Sequence, residues 1–392
     1  MSYVYLDNAA TTPLCAEAIA AMAPYMDVEG EHFGNANSLY TIGRNAFAEL
    51  ESARETVTRA LHASRPDEIV FTSGATESDN AALVGLSLAQ MEKRRLKGKL
   101  NPGRIVVSRL EHHAVLHVEP MLKALGFAVD FVGNDETGLV TPADLEAVLC
   151  EDTVLVSIMM ANNEVGIVEP VAELAQVAHK AGALFHTDAT QAVGKVPIDL
   201  KGMGVDAASF SAHKINGPKG VGVLYLKAGT PFMSYLVGGG QERGMRSGTQ
   251  NVMGAAGAAA AFKRAAENVG VYQTRVAQLR DYAYERLCKL PGVSRMVEAS
   301  AENPDGYLPN IVCVSVRGWE SESLILRMDL AGYCVSGGSA CSSNSLDPSH
   351  VLAAMGVDRK RALGMLRLSL SLETTQEDID GAVEALGTII SK

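Results

Sequence analysis

No two cysteines in this sequence are close enough to form a Cys-x-x-Cys pair. The six that occur, Cys15, Cys150, Cys288, Cys313, Cys334 and Cys341, are scattered along the chain, which argues against a disulfide framework and against a structural zinc site. Positive charge is in deficit: the formal net charge is -11 at pH 7. Electrostatic binding to nucleic acid or to an anionic membrane surface is therefore disfavoured, although a small anionic ligand needs only a local cluster of donors. Apolar runs stay short. The most apolar tract, residues 252–262, is rich in alanine and glycine and falls well below the ~20 residues of a membrane span. The N-terminus has no basic region followed by an apolar stretch, so no secretory signal is expected and the cytoplasm is the expected compartment. A nucleotide fingerprint is also missing. The run Gly238-Gly239-Gly240-Gln241-Glu242-Arg243-Gly244 has neither the spacing of a dinucleotide loop nor the lysine of a P-loop.

What is present is a globular chain of 392 residues, 47% hydrophobic and 20% charged, long enough for two domains or one large enzyme fold. Short β-branched runs at residues 68–73, 104–108, 128–132, 153–159, 184–187 and 221–226 read as strands, and residues 207–210 are strand-like. Several are apolar throughout, as strands buried on both faces are. Helical patterns at residues 45–62, 77–97, 114–125, 142–149 and 171–181 alternate with them. This alternation predicts an α/β fold around a mainly parallel sheet flanked by helices. Beyond about residue 251 the pattern changes to a long helical stretch, 253–290, broken near Gly270. Strands at 310–316 and 365–371 and a closing helix at 376–390 follow. That reads as a smaller α+β domain, without repeats or a low-complexity linker.

Four segments carry chemistry. Lys214 lies in Ser211-Ala212-His213-Lys214-Ile215-Asn216-Gly217-Pro218-Lys219-Gly220. Most lysines on such loops are solvated charges, but here hydrogen-bonding side chains precede it and a rigid turn follows. A desolvated lysine near other cations becomes a Schiff-base nucleophile. The segment Phe71-Thr72-Ser73-Gly74-Ala75-Thr76 joins a strand to a helix start, where orphan N–H groups favour an anion; it also reads as a plain capped turn. Asp188, after an apolar run, would point into the crevice at a parallel strand's carboxyl end and could keep a pyridinium nitrogen protonated. A helix cap is the bland reading of the same residue. Cys341 lies among small polar neighbours in Gly337-Gly338-Ser339-Ala340-Cys341-Ser342-Ser343, with little to bury it. Its thiol needs a proton acceptor or a positive field to ionise near neutral pH. His112 could stack on a flat cofactor. His113 and His117, four apart, have helical metal-pair spacing but no Glu or Cys partner at useful distance.

Together these segments resemble the cysteine desulfurases, in the class V aminotransferase group of fold-type I pyridoxal-phosphate enzymes. The likeness runs from Asp7-Asn8-Ala9-Ala10-Thr11-Thr12-Pro13 through Ala161-Asn162-Asn163-Glu164-Val165-Gly166 to Arg367-Leu368-Ser369. It implies that Lys214 holds pyridoxal 5'-phosphate and moves the substrate's Cα proton. Ala75, Thr76, Ser211 and His213 would hold the phosphate, with Thr249 reaching in from the second subunit of a homodimer. His112 would stack on the ring and join the catalytic set, Asp188 would pair with its nitrogen, and Gln191 would reach its phenolic oxygen. Asn163 and Arg367 would bind the carboxylate of L-cysteine, and Cys341 would accept the sulfur as a persulfide, leaving L-alanine. By the same resemblance, residues 15–258 form the large domain, and 1–14 with 259–392 the small one. A sulfur-acceptor protein is implied, with no nucleic acid, no membrane and no resident metal beyond a transient iron–sulfur contact through Cys341. Two departures stand out: Ala36 replaces a frequent proline and Asn216 a frequent aromatic. The loop around Cys341 resembles the type that serves iron–sulfur scaffolds, yet the chain stops at Lys392 without the longer docking tail of housekeeping members. The alternatives are a selenocysteine lyase or a class V aminotransferase, and, in a different class, a non-enzymatic partner-binding scaffold.

Overall fold

The β-branched runs pair as one seven-stranded sheet in the spatial order Ile69–Thr72, Gly222–Leu226, Ala207–Ser211, Leu184–Asp188, Thr153–Ser157, Arg104–Ser108 and Ala128–Val132. This is a computed structural model, and it describes residues 3–298, 306–338 and 348–391. Only Gly222–Leu226 runs against its neighbours; the remaining pairings are parallel. The carboxyl ends of the other strands therefore share one edge, where parallel sheets place their ligands. Thr153–Ser157 and Ala207–Ser211 are buried along their whole length, as their apolar or small side chains require with helices on both faces.

Helix Thr41–Ala60 buries Ala46, Leu50, Ala53 and Val57, an i, i+4, i+7, i+11 stripe, against helix Val252–Glu267. The alanines and glycines of the second helix let the two backbones approach closely. The stretch expected to break near Gly270 does so at Asn268, which closes this helix and donates from Nδ2 to Arg264 O at 2.8 Å. The expected helix at 114–125 is two short ones, His113–Leu116 and Glu119–Ala124. Pro120 explains the split, because it lacks the N–H that a continuous helix would need there. Helix Ser321–Leu330 was not anticipated.

A second, antiparallel sheet orders Met365–Ser369, Ile311–Val316 and Val293–Arg295. The closing helix Gln376–Ile390 starts where expected, with Thr375 and Asp378 exchanging capping bonds. The N-terminal segment joins this sheet to the cavity of the first. Ser369 N donates to Leu6 O at 2.7 Å and Asn8 Nδ2 to Ser369 O at 2.8 Å, and Ala9 and Ala10 then pass over the edge of the large sheet.

One buried ion pair ties three parts of the large sheet's surroundings. Arg54 on helix Thr41–Ala60 donates to both carboxylate oxygens of Glu242, at 2.7 and 3.0 Å, and to Ile69 O at 2.6 Å. Glu242 Oε2 also accepts from Phe71 N at 3.0 Å. Glu242 and its neighbour Arg243 are held at φ 47 and 57, so the loop that continues to Thr249 is anchored at a strained point.

Candidate active site

Past the carboxyl edge of the large sheet lies a cavity of about 550 Å³. It is lined by Ala75, Thr76, His112, Asn163, Asp188, Gln191, Ser211, His213, Lys214 and Arg367, so ten of the positions singled out in the sequence converge. Thr249 does not line the cavity of its own chain and is exposed. Cys341 lies outside the described residues.

Each side chain is placed by a strand end or a cap. Helix Ala75–Leu96 starts behind Gly74 without a side-chain cap, leaving the first-turn N–H groups directed at the cavity. Gly222 must be glycine because a Cβ there would overlap the backbone of Gly74, so strand and turn touch. Ser211 ends its strand and the turn Ala212–Lys214 follows. Lys214 Nζ donates to Ala9 O at 2.6 Å and Ala10 O at 2.8 Å. His213 Nδ1 lies 3.1 Å from Thr11 Oγ1, and burial, reinforced by Lys214, Lys219 and Lys195, pushes its pKa down to about 4. Asp188 Oδ1 accepts from Thr190 N at 2.9 Å within a turn; no helix starts there, so the residue is not a helix cap, and it lines the cavity instead. His112 caps the short helix after it, its Nδ1 accepting from Ala114 N at 3.1 Å. The neutral ring therefore carries its proton on Nε2. Burial lowers its pKa, with Asp188 opposing and Lys214 assisting. Gln191 Nε2 donates to Ala9 O at 2.9 Å while its Oε1 has no partner. Arg367, 1% exposed, donates to Asn163 O at 2.7 Å and Asp7 Oδ1 at 2.8 Å, and its Nε is unpartnered.

Sequence reasoning passed over several groups. Asp79, wholly buried one turn into helix Ala75–Leu96, lines the cavity with neither oxygen hydrogen-bonded, and burial together with the charge of Asp188 raises its pKa. Its place after Thr76 and Glu77 was visible, but nothing local distinguishes it from a surface acid. Lys195, 2% exposed, donates weakly to Lys214 O at 3.5 Å, and burial lowers its pKa to about 7. The carbonyls of Ala9 and Ala10 could not be found from sequence, since any residue supplies a carbonyl. His113 and His117 stack with ring centroids 4.5 Å apart, and no group of three His, Cys, Asp or Glu among the described residues is arranged to hold a metal.

Asn216 has a clear reason. Its φ is 66, where asparagine is better tolerated than branched or bulky residues. Its amide donates to Pro13 O at 3.0 Å, its Oδ1 accepts from Arg264 at 3.1 Å, and its N donates to Thr12 Oγ1 at 2.7 Å. Asn216→Ala is expected to cost about 2 kcal/mol, through the left-handed backbone and the lost bonds, and Asn216→Gly less. Urea denaturation midpoints of the two variants would check that order.

The donor set fits pyridoxal phosphate. An amine, an acid at a strand end, an uncapped helix N-terminus and a half-buried imidazole match its aldehyde, pyridine nitrogen, phosphate and flat ring. Gln191 Oε1 and Arg367 Nε are buried polar atoms without a hydrogen-bond partner, on side chains that line the cavity. Fold and cavity thus define the class: a pyridoxal-phosphate-dependent enzyme of fold type I. A profile described as "Aminotransferase class-V" matches residues 4–381. A cysteine desulfurase IscS of Dictyoglomus turgidum is 43% identical over 390 residues, covering 99% of this chain and 95% of that one. A cysteine desulfurase NifS of Azotobacter vinelandii is 39% identical over 395 residues, covering 100% and 94%. A solved NifS-like protein superposes with a TM-score of 0.88 at 37% identity, covering 99% of each chain. The chain belongs to the class-V aminotransferase family and, within it, to the cysteine desulfurases.

Proposed function

We propose that this enzyme removes sulfur from L-cysteine, releasing L-alanine and leaving the sulfur on Cys341 as a persulfide for an acceptor protein. The observation that supports it most is the convergence of Lys214, Asp188, His112 and the Ala75 helix start on one cavity. Ala75, Thr76, Ser211 and His213 bind the cofactor phosphate, with Thr249 completing that cradle from the partner of a homodimer. Asp188 meets the ring nitrogen, His112 covers the ring and Gln191 meets the phenolic oxygen. Bound pyridoxal phosphate supplies an electron sink for the pair released at the substrate Cα. Lys214 takes the Cα proton. Asn163 and Arg367 hold the carboxylate, for which a planar guanidinium is suited. Cys341 thiolate attacks the substrate sulfur, and the carbon–sulfur bond breaks with its electron pair staying on the carbon fragment. Protonation of that fragment gives alanine.

In this reading residues 15–258 form the cofactor domain, and 1–14 with 259–392 the small domain that carries Cys341. The cytoplasm is its compartment; no helix among the described residues is long and apolar enough to cross a membrane. The acceptor is an iron–sulfur scaffold or a thiolation protein. Mass spectrometry after adding L-cysteine is expected to find one added sulfur atom on the peptide containing Cys341. Alanine formed in stoichiometric amount with no sulfur on that peptide would overturn the proposal.

A further inference from the structure

We propose that Glu164 is a positioning residue for sulfur transfer, its single carboxylate bonded to one flank of the segment that carries Cys341 and packed against the other. The inference rests on the reading of Cys341 as sulfur acceptor. Glu164 is 1% exposed and sits in a tight turn, where Asn162 Oδ1 accepts from Glu164 N at 2.8 Å and Val165 N at 3.0 Å. The preceding residue, Asn163, lines the cavity, and its carbonyl accepts from Arg367. One turn therefore presents Asn163 to the substrate side and Glu164 to the other.

Two chain segments meet Glu164 there. Ser349 donates from Oγ to Glu164 Oε2, and Ser349 Oγ itself accepts from Val351 N at 3.1 Å and Leu352 N at 3.4 Å, capping helix His350–Ala354. From the opposite direction comes Gly338, at φ 124, where a Cβ would lie 3.3 Å from Glu164 Oε2. Gly338 is fixed in turn by Ser336, whose Oγ donates to Gly338 O at 3.0 Å. Ser336 also exchanges backbone bonds with Arg367, at 3.1 and 2.6 Å. The return at Ser349 is thus hydrogen-bonded to the acid against which the exit at Gly338 packs, beside the carboxylate-binding residues. Cys341 follows Gly338 by three residues, and covalent geometry limits that span to about 11 Å. With so short a tether, the position of Gly338 decides whether the thiol meets the substrate sulfur, and a misplacement of about 1 Å can cost about 10²-fold in rate.

The test measures persulfide formation on Cys341 in single turnover, by mass spectrometry, in cofactor-loaded Glu164→Ala, Glu164→Gln and Ser349→Ala. Glu164→Ala is expected to slow the step about 10²-fold while cofactor absorbance and KM for cysteine stay at wild-type values. Glu164→Gln keeps an acceptor for Ser349 and should recover most of the rate. Ser349→Ala should be slowed in the same step, and the losses should be less than additive in the double change with Glu164→Ala, because both variants remove the Ser349–Glu164 bond while Ser349→Ala also removes a helix cap. Wild-type rates in Glu164→Ala, or an effect confined to KM, would overturn the role. If Glu164→Ala fails to fold, an unaltered rate in Ser349→Ala overturns it. Absence of sulfur on Cys341 in the unmodified enzyme would instead sink the underlying functional reading, so the two failures are distinguishable.

Discussion

Lys214→Ala is expected to lower sulfide production from cysteine by more than about 10⁴-fold, the upper range for loss of a positioned acid–base group, and the true loss is larger because the covalent anchor goes with it. The amine is brought to the cavity by its bonds to Ala9 O and Ala10 O, and no other lysine can substitute. Lys195 is enclosed behind Lys214 O, while Lys219 lines the rim and follows the rigid Gly217-Pro218 turn. Lys214→Arg should fail as well, since a guanidinium stays protonated and cannot act as the nucleophile. Borohydride reduction should attach the cofactor to the Lys214 peptide in the unmodified protein and to no peptide in Lys214→Ala. Retention of more than about a hundredth of the activity by the alanine variant would refute the assignment.

Breaking the Arg54–Glu242 pair should have the largest effect on stability. Both residues are nearly inaccessible, at 2% and 3%, and Arg54 additionally lies over the Phe71 ring at 5.1 Å. Arg54→Ala would leave the Glu242 carboxylate buried without its counter-charge, at an expected cost of about 3–5 kcal/mol. Adding Glu242→Gln removes that stranded charge while keeping an acceptor for Phe71 N, so the double variant should be more stable than Arg54→Ala. Guanidinium denaturation of the apoproteins would measure both; equal midpoints for Arg54→Ala and the unmodified protein would contradict the argument. Neither residue lines the cavity, so the denaturation midpoint reads the ion pair and not a direct contact with the cofactor.

The seven strands of the large sheet were legible to within a residue or two because most are short apolar or β-branched runs bounded by polar turns, and its mainly parallel order follows from the helices between them; the short strands Val4–Tyr5, Val293–Arg295 and Tyr333–Cys334 were not, since two or three residues carry no periodicity. Asp188 and Ser211 were legible for the same reason: each ends an apolar run, and strand ends of a parallel sheet share one edge. Helix boundaries failed where a single residue decides them. Pro120 splits one expected helix, whereas the break expected near Gly270 falls at Asn268. Asp79 escaped notice because its burial depends on the face of a helix that packs against the sheet. Glu164 escaped because its partners, Gly338 and Ser349, are far away in sequence.

What the amino-acid order alone determined was the type of each local element and which residues stand at its ends, because hydrophobic period, caps and turn residues act over a few positions. The tertiary structure alone decided which ends meet: Ala9 and Ala10 over Lys214, Asp79 beside Asp188, Arg54 against Glu242, and one acid between Gly338 and Ser349. Those encounters join parts of the chain far apart in sequence. They are set by how whole faces bury apolar surface together, a sum over many weak contacts that no single segment encodes.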